Sequence, residues 1–77
     1  MKTRYKHIHF ESVLAQRLIW ECRNNKSGDL LGVVGPGAWN RITFRPDEWT
    51  EYSADCLDDI SDFIGQLEAE RKKPCKP

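Results

Sequence analysis

Five side chains in this sequence have the types and spacing of a binding surface: Arg17, Arg23, Trp39, Arg41 and Arg45. Cations interleaved with rings suit nucleic acid, because guanidinium groups neutralise phosphates and rings stack on bases. The same set suits a protein partner, where an aromatic anchor such as Trp39 would carry much of the binding energy. A solvated sheet face uses it differently again, with arginine stems laid over Trp39 and Ile19. His7 and His9, two residues apart, would share one strand face and reach one ion, but no cysteine or carboxylate is spaced to complete a metal site. No metal or other cofactor is therefore expected.

Nothing in the chain specifies a reaction. It has no Gly-x-Ser-x-Gly elbow, no phosphate loop and no His-Glu-x-x-His helix. Gly35-Pro36-Gly37 reads as a turn rather than a phosphate cradle, since no helix follows it. Asp58 and Asp59 fall on a convex helix surface, where no pocket would raise a carboxyl pKa. The expectation is a protein without catalytic activity.

The length of 77 residues admits one domain. A chain this short buries only about 60% of its unfolded surface, so large side chains must fill its core. Three Trp, three Phe and two Tyr supply them. Twelve Lys and Arg balance twelve Asp and Glu, so net charge names no partner, although the two signs are segregated along the chain. No apolar run approaches the roughly 18–20 residues that cross a bilayer, and the first ten residues carry no apolar stretch of a secretory leader. A cytoplasmic protein without membrane contact is expected. Cys22, Cys56 and Cys75 form neither a disulfide framework nor a zinc spacing; Cys22 and Cys56 read as buried and Cys75 as exposed.

Alternation of apolar and polar residues predicts four strands. The first covers residues 5–10, with Lys6, Ile8 and Phe10 on one face and Tyr5, His7 and His9 on the other. Residues 11–16 read as a connection. The second covers 17–24, with Leu18, Trp20 and Cys22 inward and Arg17, Ile19, Glu21 and Arg23 outward. A turn at Asn25-Lys26-Ser27-Gly28 leads to a third strand over 30–35. Gly35-Pro36-Gly37 predicts a type II turn into a fourth over 38–45, where Asn40, Ile42 and Phe44 oppose Trp39, Arg41, Thr43 and Arg45. Pro46 ends it, and Trp49 reads as exposed in the loop that follows.

Ser53 has the character of an N-cap, and Arg71-Lys72-Lys73 before Pro74 that of a helix end. Between them Leu57, Ile60, Ile64 and Leu67, flanked by Cys56 and Phe63, form an inward stripe. Asp55, Asp58, Asp59, Asp62 and Gln66 fall on the other side, where the acids would attract a basic partner or keep the helix soluble. The predicted fold is α+β: a three- to four-stranded antiparallel sheet packed on one C-terminal helix, β-β-β-β-α in two layers. Its ordered core would run over about residues 5–70, with a flexible tail at 74–77.

The run Trp20-Glu21-Cys22-Arg23-Asn24, then Ser27-Gly28 and Leu31-Gly32, resembles a pattern in small uncharacterised phage and prophage-associated bacterial proteins. Trp39 through Phe44-Arg45-Pro46 and the helix start at 52–64 continue it, so the likeness covers residues 5–67. The tight Gly35-Pro36-Gly37 turn departs from the aromatic-rich stretch of that pattern. The resemblance carries no activity and no site residues. It implies a mobile-element origin, where small proteins bind DNA or inhibit a host protein.

The sequence therefore points to a small interaction module that uses the free sheet face around Arg17, Arg23, Trp39, Arg41 and Arg45. Protein and nucleic acid remain as partners, with self-association through a bare edge strand at 5–10 or 30–34 as a third use. A nucleic-acid partner predicts affinity that falls steeply with salt, with Arg41→Ala or Arg45→Ala each lowering the slope by about one; a protein partner predicts modest salt dependence and a dominant Trp39.

Overall fold

The computed structural model describes residues 1–13 and 19–72, without the side chains of Trp39 and Lys72. The expectations for Arg17 and Leu18, for the tail at 74–77 and for Cys75 lie outside the described residues. Four strands, β1 (Ile8–Ser12), β2 (Trp20–Asn24), β3 (Leu30–Pro36) and β4 (Ile42–Pro46), precede one helix, α1 (Ala54–Lys72). The sheet is an antiparallel meander in the order β1-β2-β3-β4, and α1 covers one face. The predicted two-layer β-β-β-β-α architecture is the one observed.

Period-two alternation decides which face each strand buries. Ile8 and Phe10 of β1, Cys22 of β2, Val34 of β3 and Ile42 of β4 point toward the helix and are buried. Ile60, Phe63 and Leu67 of α1 meet them, spaced three and four apart on one stripe. Phe63 stacks on Phe10 at 4.0 Å between ring centres, while Trp20 and Tyr5 pack edge-on against the pair. Ser53 caps the helix, its hydroxyl accepting from the Cys56 amide at 3.3 Å. Cys22 is fully buried, and burial pushes its thiol up to about 12, with the neighbouring Cys56 adding to the rise.

Two glycines are required by geometry. Gly28 turns the chain between β2 and β3 at φ +77°, where the Asn24 side chain accepts from the Lys26 and Ser27 amides. At Gly32 an added Cβ would lie 2.5 Å from the Phe44 ring and 2.6 Å from the Arg45 carbonyl oxygen, so only glycine lets β4 close on β3. A bulge between Cys22 and Arg23 in the β2–β3 pairing makes Leu31 the extra residue.

Several boundaries and faces differ from expectation. The first strand starts at Ile8, not Tyr5, and runs on through Glu11 and Ser12. Residues 3–5 double back on it: the Phe10 amide donates to the Thr3 carbonyl and the Tyr5 amide to that of Ile8, both at 2.8 Å. Tyr5 therefore leaves the free face for the core, 7% exposed, because its ring packs on Phe10 and its hydroxyl reaches the helix. Gly35-Pro36-Gly37 is no type II turn. Pro36 is still paired with Ile42, Gly37 has φ −137°, and the chain reverses through a 3-10 turn at Ala38–Asn40. The left-handed residue there is Asn40, at φ +59°, so Trp39 lies in the turn rather than on a strand. Leu57 is 51% exposed despite its spacing, since it falls at the rim of the apolar stripe near the start of the helix. Cys56 is only half-buried.

Gln66 is half-buried and Asp62 remains exposed, and both reach the N-terminal segment. The Tyr5 hydroxyl donates to Asp62 Oδ2 at 2.7 Å and accepts from Gln66 Nε2 at 2.9 Å. Gln66 also grips the backbone of Lys2, accepting from its amide and donating to its carbonyl at 2.8 Å each. Burial, then the hydrogen bond to Asp62 and the charge of that carboxylate, hold the Tyr5 phenol well above its ordinary 10.0. The fold thus favours the neutral phenol; its contribution is complete below pH 10 and is lost as pH rises through the higher folded value. Tyr5→Phe is expected to cost about 1–2 kcal/mol in urea unfolding at neutral pH and to flatten the loss of stability above pH 10. Equal alkaline sensitivity in both proteins would rule this contact out as its source.

Candidate functional site

The face of the sheet turned away from α1 is built by cross-strand rows. One row runs Glu11, Glu21, Val33, Arg45; the next pairs His9 with Arg23. A third pairs Gly35 with Thr43, whose hydroxyl donates to the Gly35 carbonyl at 3.2 Å. Glu11 belongs to this face because β1 runs past Phe10, which the short alternation at 5–10 did not reveal.

Facing carboxylates at Glu11 and Glu21 repel, and the neighbours on the face answer that repulsion. Arg23 lies between them: Nη2 is 2.9 Å and Nε 3.2 Å from Glu21 Oε1, and Nε is 3.8 Å from Glu11 Oε1. Its Nη1 donates to the Gly28 carbonyl at 2.8 Å, which ties the face to the β2–β3 turn. The hydrogen bond to Glu21 is the main reason the Arg23 guanidinium is held above its ordinary value. His9 places Nε2 2.8 Å from Glu11 Oε2 and Nδ1 2.7 Å from Asn25 Oδ1. Asn25 is itself fixed, donating to the Tyr5 carbonyl and accepting from Arg4.

Both ring nitrogens of His9 thus already face oxygens, and His7 lies in the bend ahead of β1, not beside it on a strand face. Among the described residues no three His, Cys, Asp or Glu side chains converge as metal ligands would. Of the five residues read from sequence as a binding set, the structure places Arg23 and Arg45 on the free face, two strands apart. Arg41 is exposed just ahead of β4, while Trp39 is in the preceding turn and Arg17 lies outside the described residues. Arg23 is engaged by carboxylates, whereas Arg41 and Arg45 are exposed and in no ion pair among the described residues. The result is a polarised face: a network of paired charges over β1 and β2, and exposed cations at and just ahead of β4.

Comparison with protein-family models, with curated protein sequences and with solved structures finds no match to this chain.

A residue outside the five stands out. Trp49 is 97% exposed and has φ +63°, a left-handed conformation that a bulky side chain adopts at a cost. The turn that carries it is braced rather than loose. The Asp47 amide donates to the Leu31 carbonyl at 2.8 Å, the Thr50 hydroxyl donates to the Asp47 carbonyl at 2.8 Å, and the Tyr52 hydroxyl donates to the Leu31 carbonyl. Tyr52 in turn packs edge-on against Phe44. Sequence marked Trp49 as exposed; its backbone conformation carries no sequence signal. Because the ring gives the fold no burial, Trp49→Gly should stabilise the chain by about 1 kcal/mol in urea unfolding, through relief of the left-handed backbone. An unchanged or lowered midpoint would show that the ring contributes to stability after all.

Proposed function

We propose that this chain is a small non-catalytic interaction module that docks a protein partner on the uncovered face of its sheet. The observation that supports it is the Arg23 network. A phosphate-binding face keeps its cations available, whereas Arg23 here is shared between Glu21 and Glu11, so the β1–β2 half offers fixed, paired charges of both signs around Val33. Fixed mixed charge suits recognition of a protein surface by complementary charges, which sets orientation and partner choice. No helix of the described residues is long and apolar enough to cross a membrane. A cytoplasmic setting and a phage-associated origin belong to the same reading and rest on the sequence pattern.

Nucleic acid is the second reading, favoured by one observation: Arg41 and Arg45 are exposed along β4 with Thr43 between them. The two readings separate in one experiment. A photo-crosslinking residue at Val33, with a control at Ser61 on the outer helix face, is introduced into the expressed chain. A protein adduct from Val33 but not Ser61 is expected, together with no salt-sensitive NMR shifts at Arg41 and Arg45 when short single- and double-stranded DNA is added. Adducts from Ser61 alone would move the interface to the helix. Shifts that fade with salt would replace the protein reading with the nucleic-acid one.

A further inference from the structure

A different surface, independent of the sheet face, carries a second inference. Trp49 projects from the braced turn after β4, and Asp47, Glu48 and Glu51 around it are all exposed. From Pro46 to Asp59, the turn and the first part of α1, the chain holds six carboxylates and no lysine or arginine. An exposed indole in a field of one negative sign is matched by a group with an apolar stem and a cationic head. Lysine and arginine side chains have that form: the stem lies on the ring, the cation sits over its face, and carboxylates complete the ion pairs. A neutral apolar segment would leave the carboxylates unused, and a phosphate backbone would be repelled by them.

The ring is also available in advance. Among the described residues the one cation seated over an aromatic ring is Lys2 on Tyr5, at 4.6 Å, remote in sequence from this turn. Holding the turn through Leu31, Thr50 and Tyr52 reduces the ordering that a partner must impose, the usual route by which a fixed aromatic becomes an anchor. We propose that the Trp49 turn is a docking site for a lysine- or arginine-bearing peptide segment of a partner protein.

The test is an NMR titration of the full labelled chain with an arginine-rich peptide, a lysine-rich peptide and a neutral serine-glycine peptide of equal length. The Trp49 indole N–H signal is assigned by its loss in Trp49→Phe. Saturable shifts of that signal and of the Glu48 and Glu51 amides are expected with the cationic peptides alone. Trp49→Ala, which removes a side chain that packs on nothing, should weaken binding roughly five- to tenfold with an unchanged circular dichroism spectrum. Glu48→Gln with Glu51→Gln should weaken it severalfold, and Asp58→Asn on the helix should not. Binding that depends on Asp58 but not on Trp49 would reduce the effect to diffuse charge attraction and overturn the proposal. So would equal shifts with the neutral peptide, the absence of shifts, or shifts that change with protein dilution and so report a second copy of the chain as the occupant.

Discussion

The stacked pair of Phe10 and Phe63 is the contact on which the two layers depend. One ring comes from the middle of β1 and the other from the centre of α1, and they lie nearly parallel, 4° apart. Around them Tyr5, Trp20, Ile8, Cys22 and Val34 close the core, in which Cys22 is a free thiol. In a chain of 77 residues the core is one residue deep, so each aromatic carries a large share of the buried surface. The placement of Phe63 fixes the roll of the helix. That roll turns Ile60 and Leu67 inward and leaves Asp58 and Ser61 outward, and it brings Gln66 within reach of the N-terminal segment.

A four-stranded open sheet has two edges; the chain pairs along one of them and contacts the other at its start. Residues 3–5 lie along the outer side of β1, held by the Thr3 and Ile8 carbonyls and clamped to the helix through Tyr5 and Gln66. On the other side Glu68 accepts from the Ile42 amide at 2.9 Å, and Pro46 has no amide to offer. Arg71 reaches the carbonyl and side chain of Asn40, which fastens the end of the helix to the turn before β4. The stretch at 30–34, read from sequence as a possible bare edge, is instead central, between β2 and β4. Strand-to-strand growth is thus obstructed along β1, and at β4 the first amide is taken and the last position has none. The free sheet face and the Trp49 turn lie away from both margins.

How much of this was legible in the sequence follows from the kind of signal each element emits. The helix and the inward positions Ile8, Phe10, Cys22, Ile42, Ile60, Phe63 and Leu67 agree with the structure because periodicity of burial is written residue by residue. Lys6, Asn40 and Leu57, assigned inward by the same periodicity toward the element ends, are exposed. The turn at Gly28 was legible because asparagine and glycine there have few other uses. The fold-back of residues 3–5 was not, since Tyr5 fits the outward side of a short alternation and its burial is decided by Asp62 and Gln66, more than fifty residues away. The reversal before β4 misled for the opposite reason. Pro36-Gly37 is a strong local turn signal, but pairing of Pro36 with Ile42 and the Arg71 contact at Asn40 shift the reversal later. In the candidate site, arginine could be seen but its engagement could not: whether Arg23 is available depends on the cross-strand register that sets Glu21 and Glu11 beside it.

Charge segregation gains its meaning only when the fold is added. Through Arg45 the chain carries eight lysines and arginines against three carboxylates, and from Pro46 to Glu70 none against nine. The sequence boundary at Pro46 is also a structural one, where the sheet ends and the connection to the helix begins. The sheet uses its carboxylates, Glu11 and Glu21, to hold Arg23, so its surplus of cations resides in side chains such as Arg41 and Arg45. The helix uses few of its own: Asp62 receives Tyr5 and Glu68 receives Ile42, both at the seam with the sheet, while Asp55 and Asp58 remain exposed. Zero net charge therefore conceals a molecule with opposite signs on its two layers. Trp49 stands at their junction, on the acidic side, in a connection that is exposed at its tip and fastened at its base.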